Sequence, residues 1–480
     1  MTTQEKVTTP LPHKEGQGSG AVSFNTQYWR FLWSSILIAL SGCLGNVVDG
    51  IIVGNLIGED GVSAINLTKP VVQFMFTLSM LLSTGAGMLV GMELGKKDLP
   101  RAAYIFTLSV ASCLVVGLLM TVCGLTVPDI ITGWLCSNEH LFQPTFDYLV
   151  VMLLGAPAYM IMWALSTMVG VDGSPRLVSI AILIDNAVNL SLDIVFIQLL
   201  GWGIEGSSSA TVVGHLVGIA IMCRHFRYPN NHLKFSLERR VDTVELATAS
   251  PSGEGMAAAD STFSTLYSTL KAILSQGAPL AIASVCLTML LFSANSIVLS
   301  SLGRAGIFAF AVCMNLLQIY NLFLAGVCRT IQSLGAIQVG KGDDEAFRLV
   351  LRKSFRFITV AMLVTCALVW INPQLIASLF GADNPDYIAE TDSALRIFAL
   401  SFIPFCYIYV LMIVYKLYRH HHMALFISFA LSLTVIPVLW AMARWQPGLL
   451  WYSYLIAYLI EAVAICILHR ATRVRFELTS

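Results

Sequence analysis

A chain of 480 residues with 56% hydrophobic and 12% charged side chains, and a mean hydropathy of +0.76, is not an ordinary soluble protein, in which about 25% of residues are charged. Its 28 acidic and 28 basic residues cancel, which removes any general attraction to nucleic acid and makes the placement of charge the informative quantity. The 11 cysteines lie mostly in apolar stretches without paired metal-type spacing, so buried reduced thiols are expected rather than a disulfide or metal framework.

Residues 1–27 read as a cytoplasmic N-terminal tail, and the first 25 carry no apolar core of the kind a cleavable signal peptide has. Twelve apolar stretches follow, each long enough to cross a bilayer as a helix of about 20 residues. They are placed near 29–54, 62–94, 102–126, 145–170, 177–200, 206–225, 276–300, 306–338, 354–372, 393–417, 421–443 and 449–469. The long polar interruption reads as a flexible cytoplasmic linker over 227–269, with SPSGEG and AAADS inside it. It separates a six-helix lobe at 28–226 from a second at 270–470, and residues 471–480 form a cytoplasmic tail.

The two halves repeat at an offset of 245 residues: Gly58, Gly61, Ala64, Gly95 and Pro128 recur as Gly303, Gly306, Ala309, Gly340 and Pro373. Six helices per half is an even number, so both halves enter the membrane from the same side, related by an axis along its normal. Orientation follows from the basic residues. With the N terminus inside, all 28 lysines and arginines except Lys69, Arg304, Arg329, Arg396 and Arg444 fall in cytoplasmic loops and tails. The expected product is an all-α integral membrane protein of the cell (inner) membrane, with two pseudo-symmetric six-helix bundles and both termini cytoplasmic.

Charged groups within spans cost roughly 2.5–3.5 kcal/mol each on insertion scales, and so mark a bundle interior or a wet cavity. Asp49 lies nineteen residues beyond Arg30 and Asp193 seventeen beyond Arg176, which puts both about 25–29 Å from the cytoplasmic edge. Asp185, Asn189 and Asp193 recur at four-residue intervals, a polar stripe on an otherwise apolar helix. Carboxyls so placed can carry a proton or sodium as solvent access changes sides. Asp185, His215 and Lys69 are candidates for the cavity or a proton path, Lys69 either snorkelling outward or pairing with Asp49. Glu461 and Arg329 are read as an internal ion pair, Asp172 as interfacial, and the run Arg419, His420, His421, His422 as solvated charge on a cytoplasmic turn rather than a metal tract. Substrate contacts are assigned from helix position to Met162, Trp163, Met289 and Asn295.

The segments VVDGIIVGNLIGEDGVSAINLTKP, AVNLSLDIVFI, LGWGIEGSSSATVVGH, GAPLAIAS and ANSIVLSSLGRAGIFAFAV, in this order, resemble the multidrug and toxic compound extrusion family from about residue 28 to 470. The resemblance implies two lobes around a V-shaped chamber and export of organic cations driven by entry of protons or sodium. It also implies cation coupling by an aspartate on the first helix and an Asn-x-x-x-Asp pair on the fifth, here Asp49, Asn189 and Asp193. Departures from the family pattern bear on the mechanism. Residues 276–300 hold no carboxylate, and the counterpart of Asp49 falls at Asn295, one residue off the strict offset, so coupling through the N-terminal lobe and protons is favoured over sodium. Ser34 stands where relatives carry a proline, which argues against a proline kink of the first helix as a gating step, and His215 stands where glutamine is frequent. The expectation is a monomeric secondary antiporter, with no cofactor beyond its coupling ion and no enzymatic constellation. The alternative is a lipid-linked oligosaccharide flippase or another carrier of the same superfamily.

Overall fold

In a computed structural model the described residues are 19–228, 231–235, 254–335, 338, 343–418 and 420–471. The helices in chain order are α1 (Ser19–Ile57), α2 (Glu59–Gly95), α3 (Leu99–Thr126), α4 (Pro128–Leu135), α5 (Glu139–Leu154), α6 (Ala156–Val171), α7 (Pro175–Asp193) and α8 (Gly203–Met222). A continuous helical stretch, Glu254–Thr330, breaks at Gly303 into α9 (254–302) and α10 (304–330). Then come α11 (Asp344–Ile371), α12 (Pro373–Leu379), α13 (Pro385–Leu417), α14 (His421–Leu433), α15 (Val435–Trp445) and α16 (Ser453–Ala471).

Nine of these units are long and apolar enough to cross a membrane among the described residues, or ten if α5 and α6, bent by 54°, form one span. The twelve expected spans are recovered when two details are taken into account. The unit Ala281–Thr330 contains the Gly303 break and so holds two spans, and α1 stands outside that count, its segment Val47–Ile57 being a shorter apolar helix. Helix α1 begins at Ser19, ahead of the expected start of its span, and helix is already present from Glu254 within the segment read as linker. The rest of the N-terminal tail, residues 236–253 of the linker, Arg419, and residues 472–480 lie outside the described residues.

The repeat is physical as well as textual. Gly58 and Gly303 both adopt positive φ, 95° and 65°, a conformation open to glycine and strained for other residues, and each starts the second helix of its lobe. Asp98 and Asp343, also 245 apart, both cap the next helix, accepting from the Arg101 N–H at 3.1 Å and the Ala346 N–H at 2.9 Å. Pro128 and Pro373 each open a short helix, where the missing N–H costs nothing.

The lobes join along α2 and α9. Asn66 Nδ2 donates to Asn295 Oδ1 at 2.9 Å and Asn295 Nδ2 to the Asn66 carbonyl at 2.7 Å. Farther along, Gln73 Nε2 donates to Ser284 Oγ at 3.0 Å, and Thr77 shares a hydrogen bond with the same hydroxyl. At Gly277 the backbones touch, and a Cβ there would land on the Leu81 carbonyl. Such small-residue contacts and interhelical hydrogen bonds hold helices together where lipid offers no hydrophobic drive.

Helix α1 is shared between lobes. Its first half packs on the second lobe: Tyr28, Leu32 and Ile36 belong to that lobe's core, Tyr28 OH lies 3.0 Å from Ser354 Oγ, and Trp29 and Trp33 meet Phe357 edge-on. Its second half faces α7, where Gly45 leaves room for Asn186.

The end of the molecule at Gly58 and Gly303 is closed between the lobes. Arg304 Nη2 meets Asp60 Oδ2 at 2.5 Å, Glu59 Oε1 accepts the N–H groups of Asp383 and Asn384 at 3.1 and 3.0 Å, and Asn55 Nδ2 donates to the Leu379 carbonyl at 2.7 Å.

Candidate functional site

Between the lobes lies a cavity of about 590 Å³. From the first lobe α1 brings Asp49, α2 Lys69, α6 Met162 and Trp163, α7 Asp185 and Asn189, and α8 His215. The α5–α6 bend at Gly155 places Tyr159 in the wall, and its ring meets His215 edge-on at 5.3 Å between centroids. The second lobe contributes only neutral groups, among them Leu287, Leu291, Asn315, Gln318 and Asn321.

Asp193 ends α7, and the chain changes there to a π-helical turn at Ile194–Leu199, a local irregularity of the kind found at functional sites. The aspartate is fully buried behind the cavity wall, and neither carboxyl oxygen meets a hydrogen-bond donor. Its polar neighbours are the Asp49 carboxyl and Ser207, whose Oγ is likewise unpartnered. Asp49 faces the cavity with Oδ1 buried and unpartnered, and its neighbours are Asp193 and Lys69. Asn189 stands on the same stripe and donates from Nδ2 to Thr211 Oγ1 at 3.0 Å. Asp185 lies 3.2 Å from His215 Nδ1 with both oxygens.

Of the residues assigned from sequence, Asp49, Asn189, Asp185, His215, Lys69, Met162 and Trp163 therefore meet at one cavity, with Asp193 immediately behind it. Met289 does not line it: the side chain is 53% exposed, on the face of α9 opposite Leu287 and Leu291. Asn295 is tied up in the buried pair with Asn66 and also stands outside the wall. Glu461 and Arg329 form no ion pair: both Glu461 oxygens are buried without a partner, whereas Arg329 is exposed. No group of three or more His, Cys, Asp or Glu among the described residues could hold a metal. All ten described cysteines are unpaired, seven of them buried.

Sequence reading missed Asn315, Gln318 and Asn321. They recur every three residues on an apolar helix, the same signal that exposed the α7 stripe, but carry no charge to draw notice.

The MatE family model matches residues 35–195 and 279–441, one segment in each lobe. The multidrug export protein MepA of Staphylococcus haemolyticus (strain JCSC1435) is 27% identical over 206 residues, 42% of this chain and 46% of its own. MepA of Staphylococcus aureus (strain NCTC 8325 / PS 47) is 23% identical over 347 residues, 72% of this chain and 71% of its own. The chain thus spans about half the length of the first relative. Among solved structures, the inward-facing conformation of a multidrug resistance MATE family transporter of the MOP superfamily superposes with a TM-score of 0.76 at 18% identity, over 91% of this chain and 98% of that one. An outward-facing conformation of a transporter so described gives 0.63 at 18% identity, over 96% and 98%. At this identity the superpositions speak for the fold, two six-helix lobes around a central cavity. The family match spans both repeats and more than half of the chain, and the chain belongs to the MatE family of multi-pass membrane proteins.

Proposed function

We propose that this protein is a cation-coupled antiporter that exports organic cations across the cell membrane by alternating access, with protons favoured over sodium as the coupling ion. The observation that carries this reading is Asp193, a fully buried carboxyl with no donor on either oxygen, next to Asp49 on the cavity wall. A buried carboxylate without partners is tolerated only while a cation neutralises it, and a proton is the smallest that does so. Asp49 opens to the cavity, so it can pass that proton between water and Asp193. A proton taken up on the outer side reduces the negative charge facing an organic cation and helps release it; loss of the proton toward the cytoplasm restores the site.

Rocking of the lobes would supply the change of access. The closed Gly58 end and the basic Lys96 end then correspond to the outer and cytoplasmic sides, with both termini cytoplasmic and one chain forming the whole pathway. The multidrug export activity named for the MepA relatives is in keeping with this reading.

The test is efflux of ethidium from proteoliposomes under an imposed pH gradient or an imposed sodium gradient, with Asp193→Asn alongside. Efflux driven by the pH gradient and reduced to background in Asp193→Asn is the expected result. Movement under neither gradient would remove the antiporter reading, and movement under sodium alone would transfer the coupling to that ion.

A further inference from the structure

We infer that the second lobe holds a proton-binding site of its own at Glu461, apart from the central cavity, and that this proton is exchanged during transport. The inference rests on the export reading above for its transport arm and deepens that reading by a second coupling site.

Among the described residues of the second lobe, three buried side chains have polar atoms without a hydrogen-bond partner: Thr391 on α13, and Ser453 and Glu461 on α16. Thr391 and Ser453 are fully buried, and Glu461 is 2% exposed with both carboxyl oxygens unpartnered. Their positions follow the internal repeat. The offset of 246 residues that relates Asp49 to Asn295 also relates Thr145 to Thr391, Ser207 to Ser453 and His215 to Glu461. Ser207 is the unpartnered hydroxyl beside Asp193, and His215 is an ionisable group of the cavity wall. The same offset carries the α7 stripe of Asp185, Asn189 and Asp193 onto Leu431, Val435 and Leu439, all buried in the second-lobe core. The second lobe is thus apolar where the first has its stripe, yet it keeps the serine and one ionisable group on its last helix.

Glu461 sits on the core face of α16 between Tyr458 and Ile465, where packing alone calls for an apolar side chain. An unbonded carboxyl there destabilises the lobe even when neutral, and far more when charged. No charged group of the described residues neutralises it. Helices α14 and α15 carry none between His422 and Arg444, and the turn Pro447–Tyr452 has none. On α13, Asp392 pairs with Arg396, and Glu390 accepts from Trp451 Nε1 at 2.7 Å. The titratable neighbour of Glu461 is Tyr458, which in turn lies by Cys406 of α13. A proton on one carboxyl oxygen is therefore what holds Glu461 in the core. Ser453 stands two turns away on the same face, about 12 Å along the axis toward the start of α16. The Trp451–Glu390 bond brings that start beside Thr391. The two hydroxyls thus mark a route from the Gly303 end, and each can accept and donate a hydrogen bond in a relay with water. Along it a proton from water adds to one carboxylate oxygen and later returns to water.

Infrared difference spectra of the purified full-length protein in detergent, taken between acidic and alkaline buffer, test the site. The ratio of protons to ethidium moved in proteoliposomes is the transport readout. Native protein, Glu461→Gln, Glu461→Leu and Asp193→Asn would be compared. Both Glu461 variants are expected to lose one pH-dependent carboxyl band that Asp193→Asn retains, and to lower the proton-to-ethidium ratio about two-fold. Glu461→Leu, which matches the apolar core, should melt at or above the temperature of the native chain. A Glu461 band that persists at every pH, difference spectra identical in native and variant protein, or an unchanged proton-to-ethidium ratio overturns the inference and leaves coupling through Asp193 standing. If the native protein moves no ethidium under either gradient, the export reading fails by itself, and the infrared bands alone decide the Glu461 site.

Discussion

Asp172 and Asp193 are both buried aspartates, and their surroundings are opposite. Asp172 accepts from His225 Nε2 at 2.8 Å, His232 Nδ1 at 3.0 Å, and the N–H groups of His232 and Leu233 at 3.1 and 3.3 Å; Asp193 accepts from nothing. A carboxylate with four donors is structural, and removing it strands those donors at about 1–3 kcal/mol for each one left buried. Asp172→Ala is therefore expected to lower the melting temperature of the detergent-solubilised protein by several degrees. Asp193→Asn, which discards an unsatisfied charge site, is expected to leave it unchanged or raised while abolishing coupled efflux. A melting curve on each variant checks the contrast. Position in the sequence separated these two only partly. The four-residue spacing drew attention to Asp193, but Asp172, beside a turn, read as interfacial because its two histidines lie 53 and 60 residues away.

At the scale of elements, the decisive contacts are those of α1, α2 and α9. Hydropathy marks these as spans, and the repeat marks α2 and α10 as counterparts, yet neither shows that the first half of α1 joins the core of the second lobe. That arrangement depends on matching surfaces, Ile36 against Gly326 and the tryptophans against Phe357, which no periodicity within one helix reveals. The α2–α9 seam leads to a sharper expectation. Because a Cβ on Gly277 would strike the Leu81 carbonyl, which belongs to the backbone and cannot rotate away, Gly277→Ala must push the two helices apart. It should lower thermal stability and slow efflux together, whereas Gly95→Ala, with open space around it, should do neither. Comparing melting temperature and transport rate for the two alanine variants tests this.

For the whole molecule, closure at one end follows from a small set of polar contacts between the lobes. The Asp60–Arg304 pair is partly exposed, and such pairs contribute about 0.2–1 kcal/mol; Glu59 adds two charge-assisted bonds to backbone N–H groups. Removing both acids, Glu59→Ala with Asp60→Ala, should shift the balance toward the outward-open state by about five-fold or more. In a chain stripped of its native cysteines, labelling of Gln73→Cys by a membrane-impermeant maleimide applied from outside should rise accordingly. An unchanged labelling rate would show that closure rests on other contacts.

By itself the sequence determined the class, the number of spans, the two-fold repeat with its capping and turn residues, and the charged groups that had to face something wet. These follow from hydropathy, from residue spacing along one helix and from the local demands of turns, all of which are properties of contiguous chain. Only the tertiary structure decided which face of α9 meets the cavity, excluding Met289 in favour of Leu287 and Leu291. It likewise turned Asn295 into a strut against Asn66, left Glu461 without Arg329, and set Lys69 near Asp49 without joining it. Those outcomes depend on the rotation and approach of helices far apart in the chain, which close packing settles jointly and no single stretch of sequence encodes.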